Sequence, residues 1–246
     1  MATPQKIRCL VQHITNHGDQ VYTLDLKPER SVPRFRTGQF LHLTIDDYDP
    51  SGFWPESRVF SIASSPALRD HLRISYSVKG QYTSRMEKEL RENQWVWVKL
   101  PYGDFVIEGT GNTVLLAGGT GITAFISFIA GLPDAFPGRI LLAYGARKSE
   151  LLLYRDVLDS SMAKHQDVKI LYFVENGTKN ETSTDSLLPF EFTSGCLSID
   201  TFWNDLPDPT SATFYIAGPP AMIRAVSENL TKKNVVPEKI KVDAWE

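Results

Sequence analysis

Apolar and polar positions alternate in short runs through the first part of the chain. Ile7 to Ile14, Val21 to Leu26, Phe40 to Ile45, Arg58 to Ala63, Leu72 to Val78 and Trp95 to Lys99 are rich in β-forming side chains, with Gly, Pro, Asn and Asp clusters between them. Closely spaced short strands of this kind predict a small antiparallel barrel or sandwich. Thr83 to Arg91 (TSRMEKELR) departs from the pattern with good helix formers behind a hydroxyl residue able to cap a first turn. One helix is therefore expected between strands.

From Asn112 the pattern changes to apolar strands alternating with helical stretches. Val114 to Ala117 precedes Ile122 to Ala130, Ile140 to Tyr144 precedes Ser149 to Leu158, and Val168 to Val174 leads into a loop-rich region. Thr213 to Ala217 then precedes Ala221 to Asn229. Alternation of this type implies a parallel sheet with helices on both faces. With the polar, glycine-rich joint Glu108-Gly-Thr-Gly-Asn112, the expected fold is two-domain: an antiparallel β-barrel over 1–109, then an α/β domain with a doubly wound parallel sheet over 110–246.

Composition narrows the partners. The 246 residues are 42% hydrophobic with net charge −3, which supplies ample core and no basic footprint for nucleic acid or an anionic membrane. The opening MATPQKIRCL lacks a signal-peptide core, and no apolar run approaches the roughly 18 residues of a membrane helix. The expectation is a soluble, cytoplasmic chain without membrane insertion. Cys9 and Cys196 stand far apart, so this chain builds neither a zinc site nor a four-cysteine cluster. His13 and His17 flank a turn and read as surface histidines, so no metal site is expected.

Candidate chemistry lies in a few short motifs. In Leu116 to Ala124 (LAGGTGITA), an apolar strand runs into a glycine-rich turn and a helix, an arrangement that aims backbone N–H groups at an anion. It lacks the Gly-Lys-Ser/Thr of a triphosphatase loop and is not G-x-G-x-x-G, and a plain tight turn remains the alternative. Arg58-Val59-Phe60-Ser61 puts Arg58, Phe60 and Ile62 on one strand face, a cation beside an aromatic plate; an ordinary exposed Arg and buried Phe is the alternative. Gly80-Gln81-Tyr82-Thr83-Ser84 opens the inserted helix with hydroxyls and free N–H groups suited to a diphosphate, or to simple capping. The sheet's ligand edge also receives Ala217-Gly218-Pro219-Pro220-Ala221-Met222.

In this order, with Pro101-Tyr102-Gly103-Asp104-Phe105 as a P-x-G-x-F turn, the motifs resemble those of the ferredoxin-NADP+ reductase superfamily over nearly the whole chain. The resemblance implies an FAD-binding barrel and a nicotinamide-dinucleotide-binding α/β domain. It assigns Arg58, Val59, Phe60 and Ser61 to the flavin, with Ser61 near flavin N5. Ser77, Val78 and Lys79 fall on the adenylate side, and Gly80, Thr83 and Ser84 at the flavin diphosphate. Gly119, Thr120, Gly121 and Thr123 approach the diphosphate of NADH or NADPH, with Gly218, Pro219 and Met222 beside the nicotinamide. Ala217 replaces the usual cysteine. In the tail, Asp243 and Trp245 correspond to a carboxylate and an aromatic ring near the flavin, or to an exposed tail.

The implied activity is hydride transfer from NAD(P)H to FAD, with electrons passed to a separate carrier protein. A free-flavin or small-oxidant reductase is the alternative within enzymes, and a non-catalytic nucleotide-binding regulatory module the alternative outside them. Glu175-Asn176 after the third apolar strand of the second half suits a ribose 2′-hydroxyl and favours NADH, while Arg147 and Lys148 argue for NADPH.

Overall fold

The computed structural model describes residues 3–177, 191–206 and 208–243. The chain divides into two compact units, Met1–Ile107 with Thr123–Gly131, and Glu108–Ile122 with Leu132–Glu246.

The first unit is a nearly closed antiparallel barrel. Its strands are β1 (Gln5–Asn16), β2 (Val21–Pro28), β3 (Phe40–Thr44), β4 (Arg58–Ser61), β5 (Leu72–Ser77) and β6 (Trp95–Tyr102), in the order β4-β3-β6-β1-β2-β5. Period-2 alternation makes the core: Val96, Val98 and Leu100 of β6 point inward, as do Ile7, Cys9 and Val11 of β1. Each such side chain contributes about 1.5–3 kcal/mol on burial. Past β4, the Ala63 N–H donates to the Arg73 carbonyl at 2.8 Å, drawing the two end strands together. His13 pairs with Glu92 and His17 bonds Thr23, so the two histidines serve separate partners.

Helix α1 (Gln81–Glu89) sits between β5 and β6 and buries a one-sided stripe, Tyr82, Met86 and Leu90. It begins earlier than the sequence pattern indicates. Gly80 is the N-cap, and Thr83 lies in the third helical position, where its Oγ1 accepts the N–H groups of Lys79 (2.9 Å) and Gly80 (3.1 Å). The hydroxyl expected to cap from outside the helix reaches back from within it.

The second unit is a six-stranded parallel sheet of β7 (Thr113–Gly118), β8 (Ile140–Ala146), β9 (Val168–Val174), β10 (Phe192–Ser194), β11 (Thr213–Ala217) and β12 (Ile240–Asp243), in the order β10-β9-β8-β7-β11-β12. Every residue of β7 is buried, as expected for a central parallel strand covered on both faces. Successive strands add on one side of β7 as far as β10, and then β11 starts on the other. The topological switch point therefore lies between β7 and β11, where ligands of such sheets bind. Short β10 and β12 have no counterpart among the expected strands.

Helical boundaries shift for identifiable reasons. The helix expected over Ser149–Leu158 is a 3-10 turn (Ser149–Leu151) followed by α3 (Arg155–Lys164). The buried Tyr144 hydroxyl donates to the Leu151 carbonyl (3.1 Å) and accepts the Leu153 N–H (3.0 Å), holding this leucine run out of helical hydrogen bonding. Tyr154, at φ 61°, then starts α3. Helix α2 (Thr123–Ile129) is buried at every residue and groups with the first unit, its Phe125 ring 6.2 Å from that of Phe105. The division thus falls at Ile107/Glu108 with α2 assigned across it, unlike the single cut at 109/110. Helix α4 (Pro220–Lys232) starts after Pro219. Among the described residues, no helix is long and apolar enough to cross a membrane.

Candidate functional site

In the first unit, the two candidate anion-binding segments come together through a residue the motif reading left unassigned. Arg58 begins β4 opposite Leu43 of β3. Its guanidinium lies 4.8 Å from the centroid of the Tyr82 ring, in the second helical position of α1. Tyr82 is 2% exposed, and its hydroxyl accepts the Ile45 N–H (3.0 Å) and donates to the Leu43 carbonyl (3.3 Å). Burial pushes the phenol above its ordinary pKa, which keeps the donor proton in place. Arg58 therefore stands beside the first turn of α1, where the N–H groups of Gln81, Tyr82 and Thr83 have no intrahelical carbonyl to meet. A Cβ on Gly80 would meet nothing within 4 Å, so the helix entry is open. A cation, first-turn N–H groups without intrahelical partners and open space fit a diphosphate.

Two features modify the expectation. Arg58 already pairs with Glu56 (2.9 Å) and donates to the Ser57 carbonyl (2.9 Å), so an incoming anion competes with a surface carboxylate. Phe60 and Ile62 fill the barrel core, and the Phe60 ring, 5.8 Å from Tyr76, is only 9% exposed. The expected aromatic plate thus presents little free surface. Val59 and Ser61 are half-buried on β4, with Ser61 opposite Phe40. Ser77 ends β5 opposite Val21, the Val78 N–H donates to the Gln20 carbonyl, and Lys79 is exposed. Ser84 is half-buried in α1. The Pro101–Phe105 turn is held by buried Gln39, whose Nε2 donates to the Gly103 carbonyl at 3.0 Å.

In the second unit, β7 and β11 are adjacent, with Ala117 opposite Ala217, so the two glycine motifs emerge side by side. They interlock through absent side chains. A Cβ on Gly121 would lie 2.3 Å from the Ala217 carbonyl oxygen, and one on Gly118 would lie 2.6 Å from Met222 Sδ. At Gly218, with φ +155°, a Cβ would lie 3.0 Å from the Gly118 backbone. Gly119 differs: at φ +53° in the 3-10 turn Gly119–Ile122, it faces open space within 4 Å. Backbone floor with room above it is a cradle that side chains would fill, and it fits a dinucleotide diphosphate.

Thr120 is half-buried in that turn, and Thr123 is buried at the start of α2 in the first unit. Met222 packs partly buried against the sheet core, which makes it a support for the loop, and Pro219 is exposed. On β12, Asp243 pairs in register with Ala217, which brings the expected carboxylate beside the position that lacks a cysteine. Trp245 lies outside the described residues. The two candidate determinants of nicotinamide choice also meet, since the Asn176 N–H donates to the Arg147 carbonyl at 3.0 Å. Tyr82 is the residue joining Arg58 to α1 that the motif reading left unassigned. Its signal was the i, i+4, i+8 stripe with Met86 and Leu90.

An antiparallel barrel with a cation-bearing helix entry, followed by a doubly wound sheet with a glycine cradle at its switch point, defines the class of two-domain flavin and nicotinamide oxidoreductase folds. Residues 115–228 match the oxidoreductase NAD-binding domain model, and the two-domain fold is that of ferredoxin-NADP+ reductase-like FAD/NAD-binding domains. It is 28% identical over 226 residues to the flavohemoprotein of Bacillus subtilis (strain 168), covering 90% of this chain and 54% of that one. The chain spans about half the length of the curated relatives it matches. The Amycolatopsis cytochrome P450 reductase GcoB superposes with TM-score 0.80 at 19% identity, covering 98% of this chain and 70% of that one. A ferredoxin NADP+ reductase from Neisseria gonorrhoeae, solved with bound FAD and NADP, gives TM-score 0.74 at 18% identity, covering 99% of each chain.

Proposed function

We propose that this chain is an FAD-dependent oxidoreductase that accepts hydride from NADH or NADPH and passes electrons to a separate redox protein in the cytoplasm. The observation that carries the reading is the pairing in one chain of two features suited to anions: Arg58 with the start of α1, and the open space over Gly119 in a turn closely packed at Gly118, Gly121 and Gly218. The named activities of the relatives, a flavohemoprotein and a cytochrome P450 reductase, support it.

FAD, when bound, supplies the two-electron to one-electron conversion, so the protein's task is binding and alignment. Arg58, Gly80, Thr83 and Ser84 hold the diphosphate end, with Ser77, Val78 and Lys79 along the adenylate side. Val59, Phe60 and Ser61 border the ring, and Ser61 donates near N5. Gly119, Thr120, Gly121 and Thr123 receive the nicotinamide dinucleotide, with Gly218, Pro219 and Met222 shaping its far side. Asp243 and Trp245 act at the ring edge. Hydride transfer needs the nicotinamide C4 held close to flavin N5, which asks for positioning and no acid–base pair.

The existing Glu56–Arg58 pair favours a second reading, in which flavin is held weakly and acts as a diffusing substrate of a small-oxidant reductase. Purification, gel filtration and anaerobic titration with each nucleotide separate these readings. Retained yellow colour bleached by NADH or NADPH supports the first. Bleaching of added flavin that is lost on the column supports the second. Flavin that neither nucleotide bleaches points to a regulatory module, and failure to bind added FAD overturns the flavin reading.

A further inference from the structure

We propose that Tyr82 is a positioning residue for the flavin diphosphate, an inference that rests on the assignment of Arg58 and the start of α1 to FAD. Tyr82 couples three elements at once. Its hydroxyl bridges the Leu43 carbonyl and the Ile45 N–H at the end of β3, so it ties the first turn of α1 to the barrel. Its ring carries the Arg58 guanidinium at 4.8 Å and lies 5.8 Å from that of Arg85. The two arginines are otherwise held by different carboxylates, Arg58 by Glu56 and Arg85 by Asp46 at 2.7 Å.

An arginine on a strand terminus has several rotamers, and nearly half of the Arg58 side chain is exposed, at 46%. A ring fixed by two backbone hydrogen bonds and buried to 2% gives that guanidinium a defined plane against which to rest. The same anchor sets where the N–H groups of Gln81 and Thr83 point. Cation and helix entry are therefore held in one frame by one side chain, and a diphosphate meets both without either having to move.

The test compares FAD with riboflavin, which carries the same ring system without phosphates. Dissociation constants are measured by flavin fluorescence quenching for the parent, Tyr82→Phe, Tyr82→Leu, Arg58→Gln and the Arg58→Gln/Tyr82→Leu double variant. Tyr82→Leu should weaken FAD roughly fivefold relative to riboflavin, the range expected for a removed cation–π contact. Tyr82→Phe, which keeps the ring, should recover part of that loss. The double variant should be weaker than Arg58→Gln alone by less than the loss Tyr82→Leu causes in the parent, because part of the effect of Tyr82 runs through Arg58.

A parallel loss for FAD and riboflavin would mean a purely structural role and overturn the proposal, as would additive effects of the two substitutions. Parent protein that binds no FAD sinks the flavin reading itself. Parent protein that binds FAD, with an unchanged FAD-to-riboflavin ratio in Tyr82→Leu, sinks only the role of Tyr82. Should Tyr82→Leu fail to fold, Tyr82→Phe combined with Arg58→Gln supplies the same additivity criterion.

Discussion

Gly121 rests directly on the carbonyl of Ala217: a Cβ added at Gly121 would lie 2.3 Å from that oxygen and 2.7 Å from the Gly218 nitrogen. Because both neighbours are backbone, neither can swing aside as a flexible side chain would. Gly121→Ala should therefore destabilise the second unit by about 2 kcal/mol, through forced separation of the two loops. Gly119→Ala is the contrasting variant, since its Cβ meets no atom within 4 Å. Its left-handed backbone costs an alanine about 1 kcal/mol, and the added methyl occupies space left for the dinucleotide. Thermal melts with and without NADH check the pair. Gly121→Ala should lower the melting temperature of the free protein more, and Gly119→Ala should lose more of the NADH-induced shift.

Thr83 caps the start of α1 by accepting the N–H groups of Lys79 and Gly80. Thr83→Val keeps the shape and removes the acceptor, leaving both donors without that partner. The expected cost is about 1 kcal/mol of stability. Ser should restore most of it, since its hydroxyl occupies the same position. Urea denaturation of the three proteins checks the order Thr, then Ser, then Val.

The sequence carried the fold where side-chain pattern and backbone requirement coincide. GGTGIT and Ala217-Gly-Pro-Pro were legible because glycine at Gly121 and Gly218 is demanded by close backbone contact, and at Gly118 by the Met222 and Pro219 side chains, and such a demand fixes residue type. The apolar runs of β7 and β8 were legible because both their faces are covered. Ser149 to Leu158 was misread because three consecutive leucines suit a helix, and the hydroxyl of Tyr144 that holds them comes from another strand. The short strand β12 is specified by the edge of β11, with Phe214 opposite Ile240, more than by any pattern of its own. Tyr82 stayed hidden since its partners Arg58, Leu43 and Ile45 are distant in sequence.

Nicotinamide choice should follow Glu175, which begins the turn after β9. Its N–H donates to the Ala146 carbonyl at 3.0 Å, and that of Asn176 donates to Arg147. An acidic side chain accepts from a ribose 2′-hydroxyl and repels a 2′-phosphate. The parent should therefore be reduced faster by NADH than by NADPH. Glu175→Ser should narrow that preference by roughly tenfold, because the repelling carboxylate is gone while the positive charges of Arg147 and Lys148 remain. Anaerobic stopped-flow bleaching with both donors measures the ratio; an unchanged ratio would remove Glu175 from the recognition surface.

Acid stability should report on Asp25 in the barrel wall. Its Oδ1 lies 2.6 Å from Arg73 Nε and 3.0 Å from His71 Nε2, with the side chain 14% exposed. Burial raises its pKa, but hydrogen bonds from His71 and Arg73 outweigh burial and lower the carboxyl to about 2 from the ordinary 3.8. Since the folded value lies below the unfolded one, the unfolded chain binds the proton first as pH drops. The stabilisation is fully present above about pH 4 and is lost as pH falls toward 2, a change of about 2 kcal/mol. Asp25→Asn carries no such titration, so it should be less stable at pH 7 and lose less on acidification. Urea midpoints measured from pH 7 to pH 2 check both effects. Parallel curves for the two proteins would show that the paired carboxylate does not drive acid unfolding.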